Sequence, residues 1–255
     1  MFKVDRHNII EHELNIKGSI TISECVELLG VSEETVRRDL REMEENNRLT
    51  RVHGGAYKPE ADDKNVPIQL REVLYSKEKS KMAQYAFRNL ISENDTVMID
   101  SSTTCYQLAK IIVKSGISVT IITNSLKIME LFDGVQTNAK LIAIGGKYRS
   151  KSCSFVGDFT IQELSSYLAD KCFISTSKLD KKHGMVDSSE LECSVHKKMM
   201  DNSKYHYILA DHTKFTSRAD YIVDQFKNVN EVITDTKPEE DWCELFEKQG
   251  IKLTY

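Results

Sequence analysis

The sequence has few residues that break or cross-link a chain. Its 255 residues include only three prolines, eleven glycines and one tryptophan. The six cysteines are scattered, and no two form a Cys-x-x-Cys pair. This composition excludes a disulfide-stapled extracellular scaffold, a fibrous protein and long disordered linkers. The simple interpretation of the cysteines is that they are reduced thiols in a cytoplasm.

Long apolar runs and a strong excess of one charge are also missing. The longest apolar segments, such as 111–113 and 141–144, are far shorter than the roughly 18 residues of a membrane span. The amino terminus carries no apolar signal region, so we expect a cytoplasmic protein without membrane contact. A net charge of −4 argues against a globally basic nucleic-acid binder but allows a local basic surface. With 40% hydrophobic residues, the chain can build a real core.

Residues 1–57 are predicted to form three helices followed by a short hairpin. We expect helices over about 5–14, 22–29 and 33–45, and strands over 49–52 and 56–57. Thr21 and Glu24 have the spacing of a capping box, which marks the start of the second helix. Gly30 ends that helix and Ser32 caps the third, so the two helices are separated by a turn of helix-turn-helix length.

The third predicted helix has one apolar face and one basic face. The apolar positions, spaced i, i+4 and i+7, are Val36, Leu40 and Met43. At about 100° per residue, Arg37, Arg38 and Arg41 fall on the opposite side. They would point outward from the helix that enters a DNA groove, where the planar guanidinium pairs with guanine or phosphate.

A DNA-binding surface is therefore predicted on this helix, its cap and the hairpin. The predicted contacts are Ser32, Thr35, Arg37, Arg38, Arg41, Arg51 and His53. The competing interpretation is a solvated charged face, since residues 1–60 hold nine basic and twelve acidic side chains. Charge alone does not indicate DNA binding, but the order of caps, turn, arginine face and Gly-Gly hairpin favours it. One recognition helix covers too few bases for specific regulation, so we expect a homo-oligomer, a dimer or tetramer, on two half-sites.

The remainder of the chain follows a polar linker, predicted over 58–75, which holds two of the three prolines. From residue 76 to 255 we expect one further domain in which strands alternate with helices. The predicted strands are 96–100, 118–123, 140–144, 171–176, 205–211 and 231–234, and the predicted helices are 76–90, 103–113, 125–132, 160–169 and 191–200. This alternation predicts an α/β domain with a mostly parallel, Rossmann-like sheet.

Ligands of open parallel sheets bind outside the carboxyl ends of the strands. Five predicted strands end in hydroxyls, a glycine pair or lysines, which suits a small phosphorylated ligand. The predicted site residues are Asp100, Ser101, Ser102, Thr103, Thr104, Asn124, Gly145, Gly146, Lys147, Lys178 and Lys214. The phosphate is expected on Ser101–Thr104 at a helix amino terminus, with Lys214 as the first candidate cation. The alternative is that Asp100 only caps the helix and Lys214 is solvated.

The segments Val31–Leu40 and Arg51–Ala56 resemble the amino-terminal signature of the DeoR-type transcriptional regulators. The resemblance continues over nearly the whole chain. It implies a winged helix-turn-helix joined to a sensor domain related in fold to ribose-5-phosphate isomerases, which typically binds a sugar phosphate. It also implies a repressor of a carbohydrate operon that this effector releases from operator DNA. Ser102 stands where the family commonly has glycine.

The competing function is a phosphosugar isomerase-like enzyme with an accessory helix-turn-helix. Such an enzyme needs a carboxylate base, for which Asp180, Glu190 and Glu192 are candidates. We favour a regulator that is not an enzyme. No P-loop or Gly-x-Gly-x-x-Gly is present, so no cofactor is expected. Cys193 and His196 do not make a metal site, and we expect them on a surface helix.

Overall fold

The computed structural model of the chain describes residues 1–52, 54–58, 68–216 and 219–255, without the side chains of Lys17 and Gln69. Two compact units divide between Tyr75 and Ser76. We call Met1–Tyr75 the first unit and Ser76–Tyr255 the second unit. None of the helices in the described ranges combines the length and apolar character that a bilayer crossing requires.

The first unit packs helices against a small antiparallel sheet. Its elements are α1 (Lys3–Lys17), β1 (Ser19–Thr21), α2 (Ile22–Leu29), α3 (Glu33–Glu45), β2 (Thr50–Val52), β3 (Gly55–Tyr57) and α4 (Ile68–Val73). The predicted bounds of α2 and α3 are confirmed, whereas α1 extends beyond the predicted 5–14 at both ends. The capping box is present, since Thr21 Oγ1 accepts from Glu24 N at 3.1 Å and Thr21 N donates to Glu24 Oε2 at 2.7 Å.

The strand β1 was not predicted, and one glycine explains how it fits. The three strands lie in the order β1-β3-β2, so β3 pairs with both neighbours. A β-carbon on Gly55 would lie 2.2 Å from the carbonyl oxygen of Ile20. Gly55 therefore lets β3 approach β1 as closely as the sheet requires, in addition to its expected place in the hairpin.

A buried ion pair fixes α3 against α1. Asp39, on α3, is completely buried, and Arg6 donates to it twice, from Nε to Oδ2 at 2.6 Å and from Nη2 to Oδ1 at 2.9 Å. Burial opposes ionisation of Asp39, but the hydrogen bonds and charge of Arg6 outweigh it, so the pKa of Asp39 lies below its usual value. The apolar positions Val36, Leu40 and Met43 are all buried as predicted, and they complete the contact.

The predicted linker is not devoid of structure. Residues 59–67 lie outside the described part of the chain, but α4 follows directly, and its Ile68 and Leu70 are buried. Leu70 Cδ2 lies 3.6 Å from the position that a β-carbon on Gly54 would take. The carboxyl-terminal part of 58–75 therefore belongs to the core of the first unit, because α4 carries buried apolar side chains. The polar composition of the preceding residues had made the whole segment look like a linker.

The second unit is an α/β fold built on a parallel sheet. Its helices are α5 (Ser76–Leu90), α6 (Thr103–Ser115), α7 (Leu126–Glu130), α8 (Asp158–Leu164), α9 (Glu190–Asp201) and α10 (Glu240–Lys248). Its strands are β4 (Thr96–Ile99), β5 (Thr120–Thr123), β6 (Lys140–Ala143), β7 (Lys147–Arg149), β8 (Ser154–Val156), β9 (Ala169–Ile174), β10 (Lys178–Asp180), β11 (Gly184–Asp187), β12 (Ser203–Leu209), β13 (Tyr221–Asp224), β14 (Glu231–Ile233) and β15 (Lys252–Thr254). Short 3₁₀ turns cover His212–Lys214 and Phe226–Asn228.

Seven of the described strands form the main sheet, in the order β15-β14-β12-β9-β4-β5-β6, with every pair parallel. Successive residues of one strand enter different cores: Met98 joins one apolar cluster, while Val97 and Ile99 join the other. Both faces of the sheet are therefore covered, as a parallel sheet requires. The chain runs from β4 outward to β5 and β6 and then returns to the other side of β4 as β9. The expected α/β sheet is confirmed, and its order reverses between β4 and β9.

Several short elements of the second unit were not predicted from the sequence. The run 178–183, for which no strand was predicted, begins with β10, which pairs with β11 in a separate antiparallel sheet β10-β11-β13. Leu179 and Met185 of this sheet are fully buried. The hairpin β7–β8, the strand β15 and the helix α10 were also missed. Strands of three or four residues carry too few positions for a period-two pattern to be visible.

Replacing Arg6 with methionine should destabilise the first unit by about 3 kcal/mol, because Asp39 would remain buried without its cation. Hydrogen exchange of the α3 amides in the full chain measures the loss. Lys3→Met is the matched control, since Lys3 makes an exposed pair with Glu42 at 2.7 Å, and it should leave exchange close to that of the wild type. Equal protection in both variants would contradict a clamping role for Arg6.

Candidate functional site

The first candidate surface is the exposed face of α3. Arg37, Arg38 and Arg41 are all exposed, as predicted from the helical spacing. Asp39 lies between them in sequence but on the inner face, where the Arg6 clamp holds it. The rotation of α3 about its own axis is thereby fixed by a charged contact as well as by apolar packing.

The arginines of this surface differ in their partners. Arg37 Nη2 lies 3.4 Å from Glu33, and Arg51 Nε donates to Glu44 at 2.7 Å. Arg38 and Arg41 have no carboxylate partner within the described residues, so their guanidinium groups are available to an outside anion. At the amino end of α3, the hydroxyls of Ser32 and Thr35 lie 3.1 Å apart. His53, which we also predicted to contact DNA, lies outside the described residues.

The second candidate site is the carboxyl edge of the main sheet. Because the strands are parallel, the ends of β4, β5, β6, β9 and β12 meet at this edge, and the predicted residues follow these ends. The order reverses between β4 and β9, where open α/β sheets have their binding crevice. Asp100 lies at this point: its backbone N–H donates to Phe173 O on β9 at 3.2 Å.

Asp100 is fully buried, and protein groups occupy its oxygens. Oδ1 accepts from Ser102 N at 2.9 Å, and Oδ2 accepts from Ser175 N at 2.7 Å. His196 Nε2, from α9, lies 3.3 Å from Oδ2. These contacts hold the strand-end loops together, which is close to the alternative of a helix-capping role, and the expected contact of Asp100 with a ligand stays a prediction.

His196 links Asp100 to a second buried carboxylate. Its Nδ1 lies 3.6 Å from Asp187 Oδ2 and makes no hydrogen bond within the described part of the chain. Burial alone would lower the pKa of His196, but Asp100, followed by Asp187 and Glu192, raises it to about 9. Burial likewise opposes ionisation of Asp100, and the contact with His196 outweighs it, so the pKa of Asp100 is lowered. At neutral pH the pair is imidazolium and carboxylate.

The loop after Asp100 offers free hydrogen-bond donors at a helix start. Ser102 is the N-cap of α6, since its Oγ accepts from Cys105 N at 3.0 Å. The next two N–H groups, of Thr103 and Thr104, have no partner among the described residues, nor do the hydroxyls of Ser101, Thr103 and Thr104. Asn124, at the end of the neighbouring strand β5, has a buried Oδ1 without a hydrogen bond. The edge thus presents donors for an anion beside an acceptor for a hydroxyl.

The glycine pair that follows β6 is explained by contacts within the protein. Gly145 N donates to Glu163 Oε2, and Gly145 O accepts from Thr160 Oγ1, both at 2.8 Å. Gly146 has φ 141°, and a β-carbon there would lie 2.0 Å from Thr160 Oγ1. These glycines allow α8 to pack closely, and Lys147 beyond them is exposed at the start of β7.

Two of the predicted lysines lie near each other. Lys178 Nζ donates to the carbonyl oxygen of Thr213 at 3.0 Å, and Thr213 directly precedes Lys214 in a 3₁₀ turn. Asp211 begins this turn and accepts from Thr213 N at 3.0 Å. The loops after β9 and β12 therefore hold each other, and both basic residues lie on the β12 side of the switch point.

Sequence reasoning missed His196 and Asp187. We expected the Cys193–His196 spacing to mark a surface helix, which is wrong, because both residues are buried. The available signal was Val195, Met199 and Met200, which mark that stretch of α9 as apolar. The described residues contain no cluster of three His, Cys, Asp or Glu side chains suited to a metal ion.

Two of the three candidate bases for an isomerase, Asp180 and Glu192, are held by protein partners, and the third, Glu190, is exposed at the start of α9. Asp180 is mostly buried, and although burial opposes its ionisation, hydrogen bonds from His183 and Lys182 lower its pKa. A general base near neutral pH needs the opposite shift. Glu192 is paired with Arg149 at 3.4 Å. The geometry favours a binding site over a catalytic one.

An exposed arginine face on a helix-turn-helix, in one chain with an α/β unit, is the architecture of a ligand-responsive DNA-binding regulator. Family comparisons agree along the chain: the DeoR-like helix-turn-helix domain matches residues 6–61, and the DeoR C terminal sensor domain matches residues 75–236. This chain belongs to the DeoR family of transcriptional regulators. The prediction of a regulator rather than an enzyme is confirmed.

The relatives of this chain match it over nearly its full length and over nearly the full length of their own chains. The chain is 31% identical to the HTH-type transcriptional repressor GlcR of Bacillus subtilis, over 99% of this chain and 96% of that protein. It is 34% identical to a lactose phosphotransferase system repressor of Staphylococcus epidermidis, over 92% and 93%, and 27% identical to the glycerol-3-phosphate regulon repressor of Escherichia coli, over 99% of each. Among solved structures it is similar to a ribose 5-phosphate isomerase A of Methanocaldococcus jannaschii, with TM-score 0.41, 15% identity and 56% of each chain covered.

Raising the pH should destabilise the second unit through His196. The folded-state pKa of about 9 exceeds the unfolded value, so the unfolded chain loses this proton first. The contribution is full below about pH 6.5 and falls by up to about 1.4 kcal/mol per pH unit until pH passes the folded pKa. Urea titrations from pH 6 to pH 9 measure the slope.

His196→Gln is the test variant, since glutamine can hydrogen-bond but cannot carry the charge. Its stability should depend less on pH over this range than that of the wild type. The control is His183→Gln, which alters a half-exposed contact with Asp180 on the β10–β11 turn. Identical slopes for wild type and His196→Gln would rule out a charged His196.

Proposed function

We propose that this protein is a cytoplasmic repressor of a carbohydrate-metabolism operon, released from operator DNA by a phosphorylated sugar-like effector. The observation that carries the proposal is the pairing of an arginine face on α3 with an anion-binding strand edge in the same chain. The names of the relatives support it, since they are repressors of a glycerol-3-phosphate regulon and of a lactose phosphotransferase system.

The DNA contacts of the proposal rest on Arg38 and Arg41. Both side chains are exposed and lack a carboxylate partner among the described residues, so little internal interaction is lost when they meet phosphate or a guanine edge. Ser32, Thr35, Arg37 and Arg51 would flank them along the same surface. One α3 reads one half-site, and we therefore propose that the protein binds as at least a dimer, with half-sites spaced by the helical repeat.

The effector contacts of the proposal rest on the loop Ser101–Thr104. Free N–H groups at a helix start and free hydroxyls bind an anion through hydrogen bonds and the helix dipole. The buried Oδ1 of Asn124 would accept from a sugar hydroxyl, which removes an unsatisfied polar atom. Lys214, with Lys178 and Lys147 as weaker candidates, would supply a cation. The effector releases DNA if it prefers the DNA-incompetent state, and a tenfold effect needs about 1.4 kcal/mol of coupling.

Arg38→Ala should weaken operator binding by about 1–3 kcal/mol if the side chain reads a base, because the bidentate contact is lost. Fluorescence anisotropy with a labelled operator at fixed salt measures the change. Arg88→Ala, an exposed arginine on α5 in the second unit, is the matched control and should bind like the wild type. Undiminished binding by a triple alanine variant of Arg37, Arg38 and Arg41 would refute the assignment of α3.

Thr104→Ala and Lys214→Ala should bind operator normally but need higher concentrations of a phosphorylated sugar for release. A thermal-shift screen of phosphorylated sugars identifies a working ligand, because binding to the folded state raises the melting temperature. Thr96→Ala, at the opposite end of β4, is the control for the threonine substitution. If both site variants fold and respond to the ligand as the wild type does, the pocket lies elsewhere.

A further inference from the structure

The hairpin β7–β8 holds an arginine at the carboxyl end of β5. Asn124 and Phe155 exchange two hydrogen bonds of 2.8 Å, and Ser125 bridges to Ser154. Ser154 in turn is the register partner of Arg149 across the hairpin. Arg149 is therefore anchored beside the strand end that carries Asn124, although nothing in its sequence position marked it as part of the site.

A short chain of contacts connects Arg149 to the anion-binding loop. Arg149 Nη1 lies 3.4 Å from Glu192 Oε2 on α9. Glu192 precedes His196 by four residues, so both side chains project from the same face of the helix. His196 reaches Asp100 at 3.3 Å, and Asp100 is followed at once by Ser101. Arg149 and the loop Ser101–Thr104 thus border the same region of the strand edge.

The guanidinium of Arg149 is only partly used by the protein. Its Nη1 donates to Ser152 Oγ at 3.1 Å and also faces Glu192. Nε and Nη2 have no hydrogen-bond partner in the described ranges, and the side chain keeps 24% of its surface exposed. An arginine with one free edge is suited to bind a planar or tetrahedral anion through two parallel hydrogen bonds. Glu192 lies at Nη1, beside this free edge, so its carboxylate repels an anion that binds there.

We propose that Arg149 recognises a second anionic group of the effector, at the end away from the phosphate, through its free Nε and Nη2. The effector class is then a phosphorylated sugar acid or a sugar bisphosphate, and a neutral sugar monophosphate is disfavoured. The inference rests on the proposed function, because it takes the first phosphate to lie on Ser101–Thr104. The inference adds Arg149 as a specificity-determining residue and restricts the effector to ligands with two anionic groups.

The test is isothermal titration of the full chain with matched ligands. Glucose 6-phosphate and 6-phosphogluconate differ by a carboxylate, and fructose 6-phosphate and fructose 1,6-bisphosphate differ by a phosphate, so the two pairs distinguish the kinds of second anion. In at least one pair the doubly anionic ligand should bind at least tenfold more tightly, which is about 1.4 kcal/mol. Arg149→Ala should reduce this preference to within twofold without weakening the monophosphate. Glu192→Gln should strengthen binding of the doubly anionic ligand several-fold, because the side chain beside the free edge no longer repels an anion.

Lys248→Ala is the matched control, since it removes one member of an exposed ion pair with Glu244 on α10, and it should keep the full preference. Should Arg149→Ala fail to fold by circular dichroism, Arg149→Lys retains the charge without the planar fork, and the preference should still fall several-fold. A wild type that binds both members of each pair equally, or an arginine variant that keeps the tenfold preference, would overturn the proposal.

Failure of the proposed function gives a different result. If monophosphates bind and Thr104→Ala weakens them, the phosphate site stands, and loss of discrimination alone overturns only the role of Arg149. If none of the four ligands binds, and inorganic phosphate does not raise the melting temperature, the effector site itself is wrong and the assignment of Arg149 falls with it.

Discussion

The arrangement of the second unit depends on a buried carboxylate at the point where the strand order reverses. An isolated carboxylate in the interior costs several kcal/mol, so Asp100 is tolerated only because it is paired and hydrogen-bonded. Its partners come from three places: the start of α6, the loop after β9, and His196 on α9. Satisfying one charge therefore fixes the relative positions of three segments that surround the strand edge. The same requirement that keeps Asp100 ionised builds the rim of the candidate site.

The first unit uses a buried carboxylate for a related purpose. Asp39 on α3 is as buried as Asp100, and the two hydrogen bonds from Arg6 have the bidentate geometry that specifies orientation as well as attraction. Apolar packing of Val36, Leu40 and Met43 determines which side of α3 faces inward, but it tolerates small rotations and shifts. The bidentate pair of Arg6 and Asp39 does not tolerate such shifts. The arginine face of α3 is presented at a defined angle because Asp39, on the opposite side of the helix, is held in one orientation.

The extent to which the sequence predicted this molecule follows from how local each signal is. Helices α2 and α3 could be placed because capping residues and the i, i+4, i+7 spacing lie within a dozen residues. The parallel sheet could be predicted because alternation of strands and helices is a property of the whole segment. The residues at the strand ends could be named because a general rule places ligands there, and their contact with an effector stays a prediction. The roles of His196 and Arg149 could not be found in this way, because His196 contacts Asp100, 96 positions away, and Arg149 contacts Glu192, 43 positions away.

An overall negative protein can still present unpaired arginines to DNA, and the partners of α3 show how. This helix carries six acidic residues, which would cancel its arginines if all were exposed and unpaired. Four of them are paired instead: Glu33 with Arg37, Asp39 with Arg6, Glu42 with Lys3, and Glu44 with Arg51. Two of those cations, Lys3 and Arg6, come from α1 rather than from the recognition surface itself. The charges left unpaired among the described residues of α3 are Arg38 and Arg41 together with Glu34 and Glu45. The field that a phosphate meets depends on where these four charges lie, and at distances within about 8–10 Å this local arrangement outweighs the net charge of the chain.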